Sequence, residues 1–254
     1  MIDLAFHNEG TGKAVLLIHG FPMNSDIWDK FIETFPSSLR TVTIDLPGFG
    51  KSPMLGESFT LDDIAEIVIE NLEQRGLTEI VPIGHSLGGY VVLGMVNKKP
   101  SLFPGFGLFH STAFPDSQEK KESRNKVIEF IDRNGVLAFT SNFIPPLFSN
   151  PSHPDVPFVR EMNMKTDKAT VVSYTKAMRD RPDRSDVLRK FKKPILLIAG
   201  GKDPGIPLAS IQEQANSIQF PVLKILPEQS HMGLIEDVQT TSAIVYDFAM
   251  KCLS

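Results

Sequence analysis

Ile83-Gly84-His85-Ser86-Leu87-Gly88-Gly89 is the stretch that decides how this chain folds. Apolar Ile80, Val81 and Ile83 lead into it and Tyr90-Val91-Val92-Leu93-Gly94-Met95 leads out, so the pattern predicts a buried strand turning abruptly into a helix. Ser86 stands at that turn. Gly84 and Gly88 let strand and helix approach closely, and G-x-S-x-G in this context is a nucleophile elbow with its serine hydroxyl projecting outward. The N–H of Leu87 would then open the helix, where unpaired amides and the macrodipole favour developing negative charge. The same pattern also arises by chance in glycine-bearing turns, so its neighbours must supply the context.

On the N-terminal side, Ala14-Val15-Leu16-Leu17-Ile18 is a continuous apolar run of the kind buried on both faces of a parallel sheet. It delivers His19-Gly20-Phe21-Pro22, where Gly20 lets the backbone pass close to a bound group and the N–H of Phe21 becomes a second candidate oxyanion donor. His19 reads as a brace for that loop. Ser25 to Phe35 predicts a helix capped by Ser25; Trp28 within it suits packing and is kept as a candidate substrate contact. Thr41-Val42-Thr43-Ile44 predicts the next strand, ending in the turn-rich loop Asp45 to Ser52. Its glycines lack the spacing of a phosphate-binding loop, and Asp45 reads as an acceptor for loop amides. Thr60 to Gln74 predicts an amphipathic helix with Ile64, Ile67, Val68 and Leu72 on one stripe and Gly76 as its stop.

On the C-terminal side, Phe106 to His110 predicts another core strand, after which the alternation of strands and helices stops. From residue 112 to 189 the pattern is helical and broken by prolines, and it reads as an inserted helical lid; Phe114, Phe139 and Phe143 within it are candidate substrate contacts. The charged run Glu119 to Lys126 and the basic cluster Arg179 to Lys193 read as solvated faces. Residues 1–111 and 190–254 form the predicted core, with strands at Lys193 to Gly201 and Val222 to Leu226 and a closing helix from Glu236 to Cys252. Such alternation predicts an α/β fold with a mostly parallel sheet covered on both faces, whose ligands gather at the carboxyl ends of the strands.

Ser86, Asp203 and His231 each follow a separate predicted strand. A serine hydroxyl needs a base to become nucleophilic, and the base needs a third group to orient it, so these three residue types together point to nucleophilic catalysis. Asp116, Glu236 and Asp237 are rival acids, but Asp203 follows its strand most closely. Met232, beside the predicted base, is a further candidate substrate contact.

The formal charge of −4 over 254 residues argues against a nucleic-acid partner. The N-terminus lacks a signal-peptide pattern and no apolar run approaches a membrane span, so the expected location is cytoplasmic, away from membranes. Cys252, the single cysteine, reads as a bystander.

HGFP at His19 to Pro22, DLPGFGKS at Asp45 to Ser52, GHSLGG at Gly84 to Gly89, GGKD at Gly200 to Asp203 and QSHMGLIED at Gln229 to Asp237 together resemble the α/β-hydrolase superfamily. The resemblance implies eight strands, the first one or two around Leu4 to Phe6 and Val15 to Ile18. It implies a Ser86–His231–Asp203 triad, an oxyanion hole from Phe21 and Leu87, and no metal or organic cofactor. Relatives with an aspartate at the elbow are epoxide hydrolases and haloalkane dehalogenases, and Ser86 sets this chain apart from both. The expected activity is serine hydrolysis of a carboxylic ester with a small to medium apolar acyl group, by a monomer or homodimer. The alternatives are carbon–carbon bond hydrolysis of a diketone, cofactor-free perhydrolysis, and a ligand-binding receptor with weak turnover. A substrate carboxylate held by Arg124, Arg160 or Arg179 would favour the diketone reading.

Overall fold

The computed structural model describes residues 2–10 and 12–254. Its strands are β1 (Phe6–Glu9), β2 (Ala14–Ile18), β3 (Arg40–Ile44), β4 (Ile80–His85), β5 (Phe106–Phe109), β6 (Ile195–Gly200) and β7 (Pro221–Leu226). Among the described residues these form one seven-stranded sheet in the order β1-β3-β2-β4-β5-β6-β7. Every neighbouring pair is parallel except β1 with β3. The expectation of a mostly parallel sheet covered by helices holds, with seven strands in place of the eight implied by resemblance.

The helices are α1 (Asp29–Ile32), α2 (Leu61–Gln74), α3 (Leu87–Lys98), α4 (Gln118–Phe143), α5 (Val156–Asn163), α6 (Lys168–Arg179), α7 (Ser185–Lys190), α8 (Leu208–Asn216), α9 (Gly233–Glu236) and α10 (Val238–Leu253). Because successive strand side chains point to opposite faces, each central strand feeds two cores. Leu16 and Ile18 of β2 pack with the apolar stripes of α2 and α3, whereas Val15 and Leu17 join Trp28, Phe31, Val245 and Phe248 on the other face. At roughly 1.5–3 kcal/mol for each fully buried aliphatic side chain, these two layers dominate the stability.

Local signals explain the element ends. Thr60 caps α2 and Asp63 returns the bond to the Thr60 N–H, a reciprocal cap, and Gly76 takes φ +66° just beyond the helix. The predicted Ser25–Phe35 helix is instead a 3-10 turn, Ser25–Trp28, followed by the single turn α1. Asn24 caps it: its side chain accepts from the Asp26 N–H, so Ser25 is not the cap.

Residues 110–194 contain α4 to α7 and no strand. Helix α4 breaks at Gly135, which adopts φ +82°, ψ 170°. No helix among the described residues is long and apolar enough to cross a membrane.

The topology positions the site. The chain runs outward from β2 to β3, then returns across β2 to β4, so the connections leave β2 and β4 in opposite directions. That reversal opens a crevice beyond the carboxyl ends of β2 and β4, from which the loops at Gly20-Phe21 and Ser86 emerge.

Candidate active site

Ser86 sits between β4 and α3 with φ 50°, ψ −112°, a region that L-residues rarely adopt. Surrounding bonds over-determine it: its N–H donates to Phe109 O (2.9 Å), and its carbonyl accepts from Gly89 N (2.9 Å) and Ser111 Oγ (2.7 Å). Gly84 is required beside it, since a Cβ there would meet the Gly88 carbonyl carbon at 2.2 Å. Gly20 is required across the crevice, since its Cβ would lie 2.5 Å from His85 Nδ1 and 3.3 Å from Ser86 Cβ. The Gly20-Phe21 backbone therefore runs alongside the elbow. Leu87 N–H is the first of α3, a position with no intrahelical acceptor.

Asp203 lies beyond β6. Its Oδ1 accepts from Gly205 N (2.8 Å) and Ile206 N (3.0 Å), leaving Oδ2 for His231 Nδ1 at 2.7 Å. A carboxylate can only accept, so Nδ1 carries the hydrogen and Nε2 is left as the basic nitrogen. Burial opposes the charged carboxyl, but the His231 charge and hydrogen bond outweigh it and hold Asp203 at about 2. The His231 backbone is held twice: its N–H donates to Leu147 O (2.9 Å) and its carbonyl accepts from His85 Nε2 (2.9 Å).

Two more histidines pack behind this pair. His85 is fully buried with its ring against Trp28 and His231, and burial pushes its pKa well below the ordinary value. His110, at φ 48°, accepts from Gly200 N at 3.1 Å, and burial pushes its pKa to about 3. Both are neutral supports. His19 donates from Nδ1 to Gly20 O (2.9 Å) and accepts at Nε2 from Leu46 N (3.0 Å), bracing the loop as its position suggested. Asp45 accepts from Ser25 N and Lys51 N, each at 2.8 Å.

Ser86 and His231 open onto one cavity of about 200 Å³, which Phe21, Tyr90, Phe143, Leu147, Met178 and Ile206 also line. Of the five candidate substrate contacts, Phe143 alone lines it. Phe139 lies behind, stacked on Phe143 at 4.9 Å. Phe114 lines no part of this cavity. Trp28 and Met232 are fully buried in the core on the α10 face, because each points into the sheet packing and away from the crevice.

The charged run does not form a wholly solvated face. Lys120, Ser123, Arg124 and Val127, spaced i, i+3, i+4 and i+7 along α4, line the cavity. That spacing was visible in the sequence, but nothing local told which face would be covered. Arg160 bonds Ser141, and Arg179 pairs with Asp180 and Asn125; neither reaches the cavity. Asp116, the rival acid, is committed elsewhere: its buried carboxylate lies between Arg124 and Arg181, the latter at 2.7 Å. Burial opposes its charge, yet the bonds from Arg124 and then Arg181 keep its pKa below the usual range. Arg181, within the basic cluster expected to be solvated, is itself buried with its guanidinium 4.1 Å over the Tyr90 ring.

A model of the alpha/beta hydrolase family matches residues 15–243. A non-heme haloperoxidase of Rhodococcus erythropolis is 24% identical over 266 residues, covering 97% of this chain and 95% of that protein. A pimeloyl-[acyl-carrier protein] methyl ester esterase of Vibrio vulnificus is 32% identical over 93 residues, covering 37% of this chain and 34% of its own. Among solved structures, a thermophilic esterase of Thermogutta terrifontis with malate bound superposes with a TM-score of 0.93 at 29% identity, covering 100% of this chain and 95% of that one.

Proposed function

The chain belongs to the alpha/beta hydrolase family, and from that premise we propose that it is a serine hydrolase cleaving small carboxylic esters through an acyl-enzyme. The reading is carried by one observation: Ser86, held at φ 50°, shares a cavity with His231, whose Nδ1 is anchored to Asp203 at 2.7 Å. His231 Nε2 takes the Ser86 proton as Oγ attacks the ester carbonyl, and the N–H groups of Leu87 and Phe21 receive the oxyanion. The tetrahedral species collapses to the acyl-serine as His231 protonates the departing alcohol. Water, deprotonated by the same nitrogen, then releases the acid. Asp203 holds the tautomer and the imidazolium charge throughout. Phe21, Phe143 and Leu147 give an apolar wall for a short acyl chain, and the helices α4 to α6 serve as a lid.

Hydrolysis of p-nitrophenyl esters from two to twelve acyl carbons by the wild type and by Ser86→Ala tests this. Short-chain turnover lost by about 10⁴-fold or more in the variant is expected. Equal rates for the two proteins would remove Ser86 from the chemistry. Carbon–carbon bond hydrolysis of a diketone is a second reading, favoured by Arg124 in the cavity. Cleavage of such a diketone with no turnover of any ester would select it.

A further inference from the structure

The cavity around Ser86 carries more positive charge than the ester chemistry needs. Lys120 and Arg124 line it, and no Asp or Glu does so among the described residues. Arg124 spends Nε on Asp116 and one terminal nitrogen on the Met178 sulfur, a weak acceptor at 3.7 Å. Asp116 is shared with Arg181, so this largely buried trio retains one net positive charge. Lys120 Nζ donates to Gly205 O at 2.8 Å and has no carboxylate partner among the described residues.

Two cations in a half-enclosed cavity are costly unless an anion or water completes them. Asp203 cannot serve, because both its oxygens are already spent and its side chain is 1% exposed. The remaining wall is mostly apolar, and about 200 Å³ lies below the ~300–1,000 Å³ of sites for drug-sized ligands. A short ligand with one charged end fits both facts.

We propose that Lys120 and Arg124 form a carboxylate subsite, and that the substrate is a short aliphatic ester bearing a free carboxylate, such as the monoester of a small dicarboxylic acid. The inference rests on the serine-hydrolase reading for its chemistry but not for its binding. The planar fork of Arg124 meets the carboxylate and the Lys120 ammonium adds a point charge. Ser86 attacks the ester at the other end, so hydrolysis consumes one water and yields the dicarboxylate, the alcohol and one proton released to solvent.

The test compares monomethyl adipate with dimethyl adipate. The wild type is expected to favour the monoanion at least tenfold in kcat/KM, and Lys120→Gln and Arg124→Gln to cut that ratio about three- and tenfold through KM. Arg124→Lys should restore part of it. Arg124→Gln also strips a partner from Asp116 and can fail to fold, so Lys120→Gln, which loses only a bond to a backbone carbonyl, carries the decision. A wild-type ratio at or below one, or a ratio unmoved by Lys120→Gln, overturns the proposal.

Calorimetric titration with glutarate and neutral glutaramide, together with fluorophosphonate labelling of Ser86, separates the two readings. Labelled protein that prefers the diester overturns the subsite and leaves the serine chemistry standing. Unlabelled protein that binds glutarate over glutaramide, and loses that preference in Lys120→Gln, keeps the subsite and removes the serine chemistry. Equal or absent binding of both compounds overturns the subsite.

Discussion

In the loops at the strand ends, each group around Ser86 is fixed by several buried partners: Asp203 by two amides and a histidine, His231 by Leu147 and His85, and Ser86 by Phe109, Gly89 and Ser111. Across the cavity, α4 presents half-buried side chains with fewer anchors, Lys120 by one carbonyl and Arg124 by Asp116 and a thioether. Bond chemistry demands positions held within fractions of an ångström, whereas recognition tolerates adjustable side chains. The two sides should therefore answer mutation differently, the strand-end side through kcat and the helical side through KM and substrate preference.

The severest break belongs to the strand-end side. Asp203→Asn removes the charge that fixes the His231 tautomer, and kcat is expected to fall about 10⁴-fold with the fold intact. Steady-state kinetics beside circular dichroism checks this; near-normal turnover would return the acid role to another residue.

Next comes a pH dependence of stability. His85 and His110 have folded pKa values pushed below the ordinary 6.5 by burial, so the unfolded chain binds protons that the folded chain refuses. Their contribution is fully present above about pH 6.5 and drains as pH falls below it, by up to about 2 kcal/mol between pH 6.5 and 5 for His110, with His85 acting in the same direction. Asp203, with its pKa depressed to about 2, adds a further loss only as pH falls below about 4. Urea unfolding at stepped pH measures the first slope. A flat profile from pH 7 to 5 would mean that these histidines titrate freely.

Gly20→Ala is a gentler perturbation. Its methyl would collide with the His85 ring, which supports His231, so a displacement passes to the base. A fall in kcat of about 10²-fold with little change in KM is expected, and an equal change in both would blur the contrast between the two sides. The smallest effect falls on the helical side: Phe143→Ala widens the apolar wall, lowering kcat/KM for two- to four-carbon acyl esters about fivefold and moving the optimum to longer chains, since each methylene buried or lost is worth about 0.8 kcal/mol. The p-nitrophenyl series reads that shift directly.

The same contrast explains what the sequence disclosed. Ser86, Asp203 and His231 were legible because each follows a short, wholly or partly apolar strand in a recognisable motif, although the partners that hold Ser86 and His231 lie up to 146 residues away. The path of α2 was legible from its stripe and its Thr60 cap. Lys120 and Arg124 were hidden because their neighbourhood is made by Asp116, Met178 and Gly205, up to 85 residues away. Charge alone reads as solvated surface. Met232 misled for the converse reason: its neighbour His231 faces the cavity, while Met232 points into the core. The eighth strand came from resemblance, which carries a family's average element count onto a chain whose described residues form seven.

The bond from His231 N–H to Leu147 O joins the two sides. Leu147 belongs to the cavity wall, so any movement that lifts residues 145–147 to admit a ligand also takes the acceptor from the base's own backbone. On the proposed mechanism access and competence are then interlocked, as with a machine that runs only when its guard is shut. A lifted wall would leave the His231 backbone without this acceptor, and closing over a ligand would restore it.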